Sequence, residues 1–338
     1  MGRALPRARR GITTPSVAVQ RSNAYARAAW IFLAYTVFVV LWGALVRATL
    51  SGDGCGDHWP LCNGEVVPVA PGSKTLVELT HRITSGFCWI GALAFVFWSR
   101  KRFEKGHAAR RGAFWGFFFM TTEALVGAGL VLFRMVASNP DHARGWWAIA
   151  HLCNTFLLLA ALTLHARWAT HPGRLGARTN HARLALAGLA AVMVVGATGA
   201  IAALGDTLFP VNSLAEGFAQ DLDPASHLFL KLRALHPLLA LGTAGFLAAY
   251  GGALASRGHA RPLALGIATL AIVQIGLGFL NVALLAPVWL QLVHLLVADG
   301  LWILLTLVAV TPQEASAHDG DRLEVDAPGA ELGVEARG

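Results

Sequence analysis

Four histidines occupy equivalent places in an apolar pattern: His81, His151, His236 and His294 each lie a turn or two inside one edge of a long hydrophobic stretch. An ionisable ring held in hydrocarbon is costly and marks a functional position by default. If the stretches are membrane helices rising 1.5 Å per residue, the four rings sit at one depth, roughly 7 to 15 Å below the same boundary. Two imidazoles at matching depth on different helices can clamp an iron porphyrin from both faces, each supplying one axial ligand. A lone core histidine bonded to a neighbouring helix, a bare metal site and a proton relay are the competing uses. Four rings in register favour the porphyrin.

The neighbouring charges suggest different tasks for the two pairs. Glu78 stands three residues before His81 and Arg233 three residues before His236, so one helical face carries opposite charges at matching points. A carboxylate beside a porphyrin can take a proton or stabilise positive charge developing on a ring substituent; it can also simply pair with Arg82 or Arg47. Arg47, Arg82 and Arg233 are candidates to hold porphyrin propionates, because a guanidinium matches a carboxylate bidentately. For Arg134 and Lys231, snorkelling to headgroups is an equal reading. Glu123, replaced by Gln274 in the second half of the chain, reads as glue between helices. Cys55 and Cys62, with six residues between them in one polar loop, are expected to form a disulfide. Cys88 and Cys153 read as buried apolar thiols. His58 and His227 receive no role, and His107, His142, His165, His171, His181, His259 and His318 are expected to be solvated or interfacial.

The elements that position these residues are legible from composition. Of 338 residues 55% are hydrophobic and 14% charged, too apolar for a soluble domain of this length. Stretches able to cross about 30 Å of hydrocarbon run over 26–48, 77–99, 112–134, 145–168, 184–204, 227–250, 262–283 and 288–311. The expected fold is an all-α integral membrane protein with eight transmembrane helices. The net charge of +8 does not indicate nucleic acid, because the basic residues gather in alternate loops: Arg3, Arg7, Arg9, Arg10 and Arg21, then Arg100 to Arg111, then Arg174, Arg178 and Arg183, then Arg257 and Arg261. The positive-inside rule places those loops and both termini in the cytoplasm. The arginine-rich start reads as a cytoplasmic tail, with a transit peptide as the alternative.

Laid over each other, the halves match: Gly43 with Gly196, Glu123 with Gln274, Trp146 with Trp289, His151 with His294 and His81 with His236. Both halves hold four spans, so they enter the membrane in the same direction. The expected organisation is a basic tail (1–25), a four-helix bundle (26–168) with an outer loop at 49–76, a second bundle (184–311) and an acidic disordered tail (312–338), the bundles being parallel repeats.

Over residues 28–311 the chain resembles the heme A synthase family. The resemblance is carried by Gly43-Ala-Leu-Val-Arg47, by Ser51-Gly-Asp-Gly-Cys55-Gly-Asp-His-Trp59-Pro60-Leu61-Cys62 and by Glu78-Leu-Thr-His81-Arg82. It implies that His81 and His151 flank the substrate, heme O, that Glu78 is the catalytic carboxylate, and that His236 and His294 ligate a heme b cofactor. The implied reaction converts a ring methyl to a formyl group with oxygen from water. Implied partners are heme O synthase, a membrane electron acceptor and the lipid bilayer of the cell (inner) membrane; a homo-oligomer is compatible with the sequence. The chain departs from some members in lacking a second cysteine pair after Gly205, in having Pro237 after His236, and in having Ala200 where Arg47 would repeat. A di-heme b electron-transfer cytochrome and a small transporter are the alternatives from other classes.

Overall fold

A computed structural model describes residues 17–171 and 179–311, with side chains from residue 24 onward. Arg3, Arg7, Arg9, Arg10, Arg174, Arg178 and the acidic tail lie outside the described residues. Among the described residues ten helices form in chain order: α1 (Val17–Ala48), α2 (Ser73–Arg102), α3 (Ala108–Leu132), α4 (His142–Trp168), α5 (Asn180–Leu208), α6 (Leu214–Leu222), α7 (Leu228–Arg233), α8 (Leu235–Ser256), α9 (Arg261–Ala283) and α10 (Val288–Ala309). Among the described residues there is no strand, only an isolated bridge between Cys62 and Glu65.

Eight segments are long and apolar enough to cross a membrane, α7 and α8 together making the sixth, so the chain is a multi-pass membrane protein. At most 39% of any span's apolar window is buried. Ile31, Phe38, Phe87, Ile272 and Phe279 point outward, a surface that only hydrocarbon suits.

The sequence reading did not anticipate α6 or the interruption of the sixth span. Pro237 has no N–H to give the carbonyl of Arg233, and its ring crowds that carbonyl. The helix breaks at Ala234, two residues before His236. Several starts are set by side-chain caps: Asp141 accepts from Ala143 N–H and Thr179 from Ala182 N–H. His107 and His227, expected to be merely interfacial or without a role, cap α3 and α7 in the same way.

Within the first half, α1 packs on α2, α2 on α3, α3 on α4 and α4 on α1; within the second, α5, α8, α9 and α10 close a similar ring. The halves meet where α4 touches α5 and α10, and where α1 touches α10. At this seam Phe156 of α4 stacks on Trp302 of α10 with centroids 4.6 Å apart, and the indole N–H donates to Phe156 O at 2.7 Å. Gly196 of α5 makes room for Phe156, since a Cβ there would lie 2.6 Å from its ring.

Candidate functional site

The loop closed by the Cys55–Cys62 disulfide marks one end of the molecule, and all four histidines lie on spans that begin at that end. Each ring rests against a glycine of the preceding span. A Cβ at Gly43 would lie 2.9 Å from His81 Cε1, at Gly127 3.9 Å from His151 Cε1, at Gly199 3.0 Å from His236 Cε1, and at Gly278 3.7 Å from His294 Cε1. His81 is within electrostatic range of His151, and His294 of His236. The structure thus brings the rings together as one pair per half. His81 is partly buried. The glycine opposite His236 is Gly199, three residues beyond the Gly196 that sequence alignment pairs with Gly43. Gly196 serves the seam instead.

In the first half Glu78 is 3% exposed. One carboxylate oxygen accepts from Cys55 N–H at 2.8 Å; the other accepts from Arg82, one turn along α2, at 2.5 and 3.1 Å. Arg82 also donates to the carbonyls of His58 and Leu61, both at 2.7 Å. Glu78 and Arg82 therefore fasten the disulfide loop onto α2. Gly54 permits the close approach, for a Cβ there would sit 2.5 Å from the Lys74 backbone. Arg134 of the α3 end pairs with Asp57 of the same loop at 2.5 Å, holding the exposed Asp57 carboxyl below its usual range.

Glu123 bridges α3 to α4, accepting from Thr155 Oγ1 and Asn154 Nδ2, each at 2.5 Å. It also stands 3.3 Å from His151 Nδ1, at ion-pair distance though without hydrogen-bond geometry. In the second half Gln274 meets His294 Nε2 at 3.1 Å and donates to its carbonyl at 3.2 Å. His236 Nδ1 lies 3.2 Å from both Val195 O and Thr198 Oγ1, which leaves Nε2 free.

The arginines proposed for propionates all have partners in the protein. Arg82 is engaged as described. Arg233 pairs with Asp206 at 2.9 Å and with Asp221 of α6 at 2.7 Å. Arg47 crosses to the second half, donating to Ala203 O (2.7 Å), Thr207 Oγ1 (2.9 Å) and Gln291 Oε1 (2.8 Å). Lys231 donates to Pro224 O at 2.5 Å. At the opposite end His165, expected to be interfacial, is buried beneath Tyr25, Phe95 and Gly112. Its ring nitrogens meet Tyr25 Oη at 3.1 Å and Ala109 O at 2.9 Å. Its helix-end position concealed this, because the cover comes from α1, α2 and α3.

Curated proteins similar to the chain include a protoheme IX farnesyltransferase of Thermus thermophilus, 48% identical over 297 residues, which cover 86% of this chain and 48% of that protein. They also include the heme A synthases of Exiguobacterium sibiricum, 36% identical over 104 residues (30% of this chain, 35% of that one), and Alkalihalophilus pseudofirmus, 39% over 97 (29% and 33%). The chain spans about half the length of the first of these relatives. The model of the cytochrome oxidase assembly protein family matches residues 26–306. The chain belongs to that family, the family of the heme A synthases.

For a heme A synthase family member, the sequence reading missed several residues of the disulfide end. Asp206 and Asp221 neutralise Arg233, and Asp221 reaches it only because α6 folds back. Gln291 and Thr207 receive Arg47. Buried Arg144, 3% exposed, is held by the carbonyls of Ala137 (2.6 Å) and Asn139 (2.9 Å). Its place among otherwise neutral and acidic loop residues was the one available signal.

Proposed function

We propose that this protein is a heme A synthase, oxidising one ring methyl of heme O to the formyl group of heme A with oxygen drawn from water. The conversion takes in one water and releases four electrons and four protons, so a membrane electron acceptor is required. The observation that carries the reading is the pairing of histidines across each half, with a buried carboxylate three residues before only one of them.

The donor sets fit the groups. In the first half His81 and His151 flank the substrate, and Glu78, oriented by Arg82 and Cys55 N–H, is the carboxylate placed to take a proton or to stabilise charge developing on the methyl-derived carbon. In the second half His236 is anchored through Nδ1, the arrangement that leaves the other nitrogen for iron; His294 offers its own once Gln274 turns aside. There they hold heme b, which when bound supplies a one-electron redox centre. The halves (26–168 and 184–311) are parallel repeats about an axis along the membrane normal, with the disulfide end outward and both termini cytoplasmic, as the alternation of basic loops requires. A heme O synthase as partner is supported by the likeness to a protoheme IX farnesyltransferase that this chain only half covers.

The test is extraction and chromatography of the porphyrins bound to purified protein. Hydroxylated or formylated heme is expected from the wild type, and Glu78→Gln keeps the bound heme while product falls to background. Unchanged product in Glu78→Gln removes the catalytic role of that carboxylate, and unmodified heme alone in wild type and variant favours the di-heme electron-transfer cytochrome. A protein without a Soret band removes heme altogether.

A further inference from the structure

Among the described residues, Arg47 and Arg144 have no carboxylate at ion-pair distance. The carboxylates that the disulfide end offers to arginines are already committed: Glu78 to Arg82, Asp206 and Asp221 to Arg233, Asp57 to Arg134. The acceptors around the two guanidiniums are neutral: backbone carbonyls, a threonine hydroxyl and a glutamine amide. Arg47 feels the carboxylate of Asp206, which is itself paired with Arg233, and the like charge of Arg144. Two desolvated like charges are each unfavourable, and a shared anion relieves both penalties.

Their place in the fold indicates which anion. Arg47 comes from the first half, but its acceptors lie on α5 and α10. Gln291 is three residues, one turn, nearer the disulfide end than His294, and Ala203 is one turn nearer that end than Gly199, the glycine that seats His236. The guanidinium therefore stands about one turn, ~5.4 Å, toward the disulfide end from the second histidine pair. Arg47 is partly buried there. Arg144 lies near the start of α4, which packs on α5, and acts on Arg47 electrostatically. Arg233, the second half's own candidate, has its charge met by two aspartates.

We infer that Arg47 and Arg144 form an oxyanion site at the seam, through which the first half holds a propionate carboxylate of the tetrapyrrole clamped by His236 and His294. This rests on the heme b reading above and adds that the second pocket is completed by residues from the other half. It also accounts for the alanine on α5 where Arg47 would repeat: the second half borrows the arginine instead of carrying its own.

The experiment uses the full chain carrying His151→Ala, so that only the second pair binds, purified free of pigment and titrated with hemin or hemin dimethyl ester while the Soret band is followed. The expected result is hemin binding about tenfold or more tighter than the ester, a preference of the size charge-assisted bidentate pairing gives. Arg47→Gln and Arg144→Gln each bring that ratio close to one, Arg47→Lys keeps part of it, and the ester's affinity, which reports an intact pocket, stays unchanged. A ratio unaltered by both glutamine variants, with binding intact, overturns the inference and leaves the heme b reading standing. Failure of hemin and ester alike to bind removes the heme b reading and this inference with it. If Arg47→Gln instead loses co-purifying anionic phospholipid at an unchanged ratio, the arginines serve a lipid phosphate, and the propionate assignment is overturned.

Discussion

In the first half the charge three residues before the histidine of the second span is Glu78, met by Arg82 one turn along the same helix. In the second half it is Arg233, met by Asp206 and Asp221 from α5 and α6. Both charges are neutralised, so the sign reversal along the sequence does not leave one pocket bare-negative and the other bare-positive. What differs is where each network ends. The Glu78 network ends on Cys55 N–H and on loop carbonyls, tying the turn of α2 that carries His81 to a cross-linked loop. The Arg233 network ends on a short amphipathic helix. A repeat can thus keep its placement of histidines while exchanging the polar scaffold around them, and under the proposed function the scaffold is where the substrate half and the cofactor half separate.

The strongest way to break this comparison is through the glycines. Within each half one histidine is tightly seated and the other loosely: Gly43 and Gly199 leave no room for a Cβ, whereas at Gly127 and Gly278 the same atom would be in ordinary contact. Gly43→Val is expected to lower heme A formation by about a hundredfold, since forcing bulk into a packed site costs ~1–3 kcal/mol and the displaced group, His81, is the proposed ligand of the substrate. Gly199→Val should remove the second-half heme signal from reduced-minus-oxidised spectra while first-half binding persists. Gly127→Ala and Gly278→Ala should behave as wild type. Equal losses from all four substitutions would mean that the glycines serve general packing instead of seating rings.

Much of this was legible in the residues. Eight apolar stretches forecast eight spans because hydrocarbon thickness fixes helix length, and the Cys55/Cys62 spacing forecast a closable ring. The gaps have physical causes. The register of the repeat slipped by three residues around Gly196 and Gly199, because both glycines are demanded, one by Phe156 across the seam and one by His236 within the half. His107 and His227 are capping residues, which a hydrophobicity pattern cannot show. Asp206 and Asp221 come together only after α6 folds back, and His165 is covered by three other helices. Sequence separation hides contacts of these kinds.

A smaller effect tests the other asymmetry between the halves, the carboxylate Glu123 near His151 against the amide Gln274 on His294. Groups behind a metal-ligating imidazole typically change affinity by about 10–100-fold. Glu123→Gln, which keeps a partner for Asn154 and Thr155, should weaken tetrapyrrole binding at the first pair by about tenfold on that scale. Gln274 instead meets the nitrogen that His294 would give to iron, so Gln274→Ala should strengthen binding at the second, with titration of pigment-free protein as the measurement. If neither substitution moves the affinity of its own half, Glu123 is interhelical glue alone.

The smallest expected effect is a pH response confined to the second half. The α2 helix starts on Gly72 with no side-chain cap, whereas α7 starts on His227, whose Nδ1 accepts from Phe229 N–H at 3.2 Å and so must be unprotonated. Burial of this ring, reinforced by nearby His142, holds its pKa below the ordinary 6.5. The opened state therefore binds the proton more readily, and the cap's contribution is present above pH 6.5 and declines as pH falls toward the folded value. In the first half Arg134 holds the Asp57 carboxyl below the usual carboxylate range, so that pair persists through the window. Hydrogen exchange corrected for intrinsic rate should show the amides of 229–231 losing protection between about pH 7.5 and 5.5 while those of the disulfide loop do not. His227→Asn, a cap that does not titrate, should abolish the difference; an unchanged response in that variant would assign it to another group.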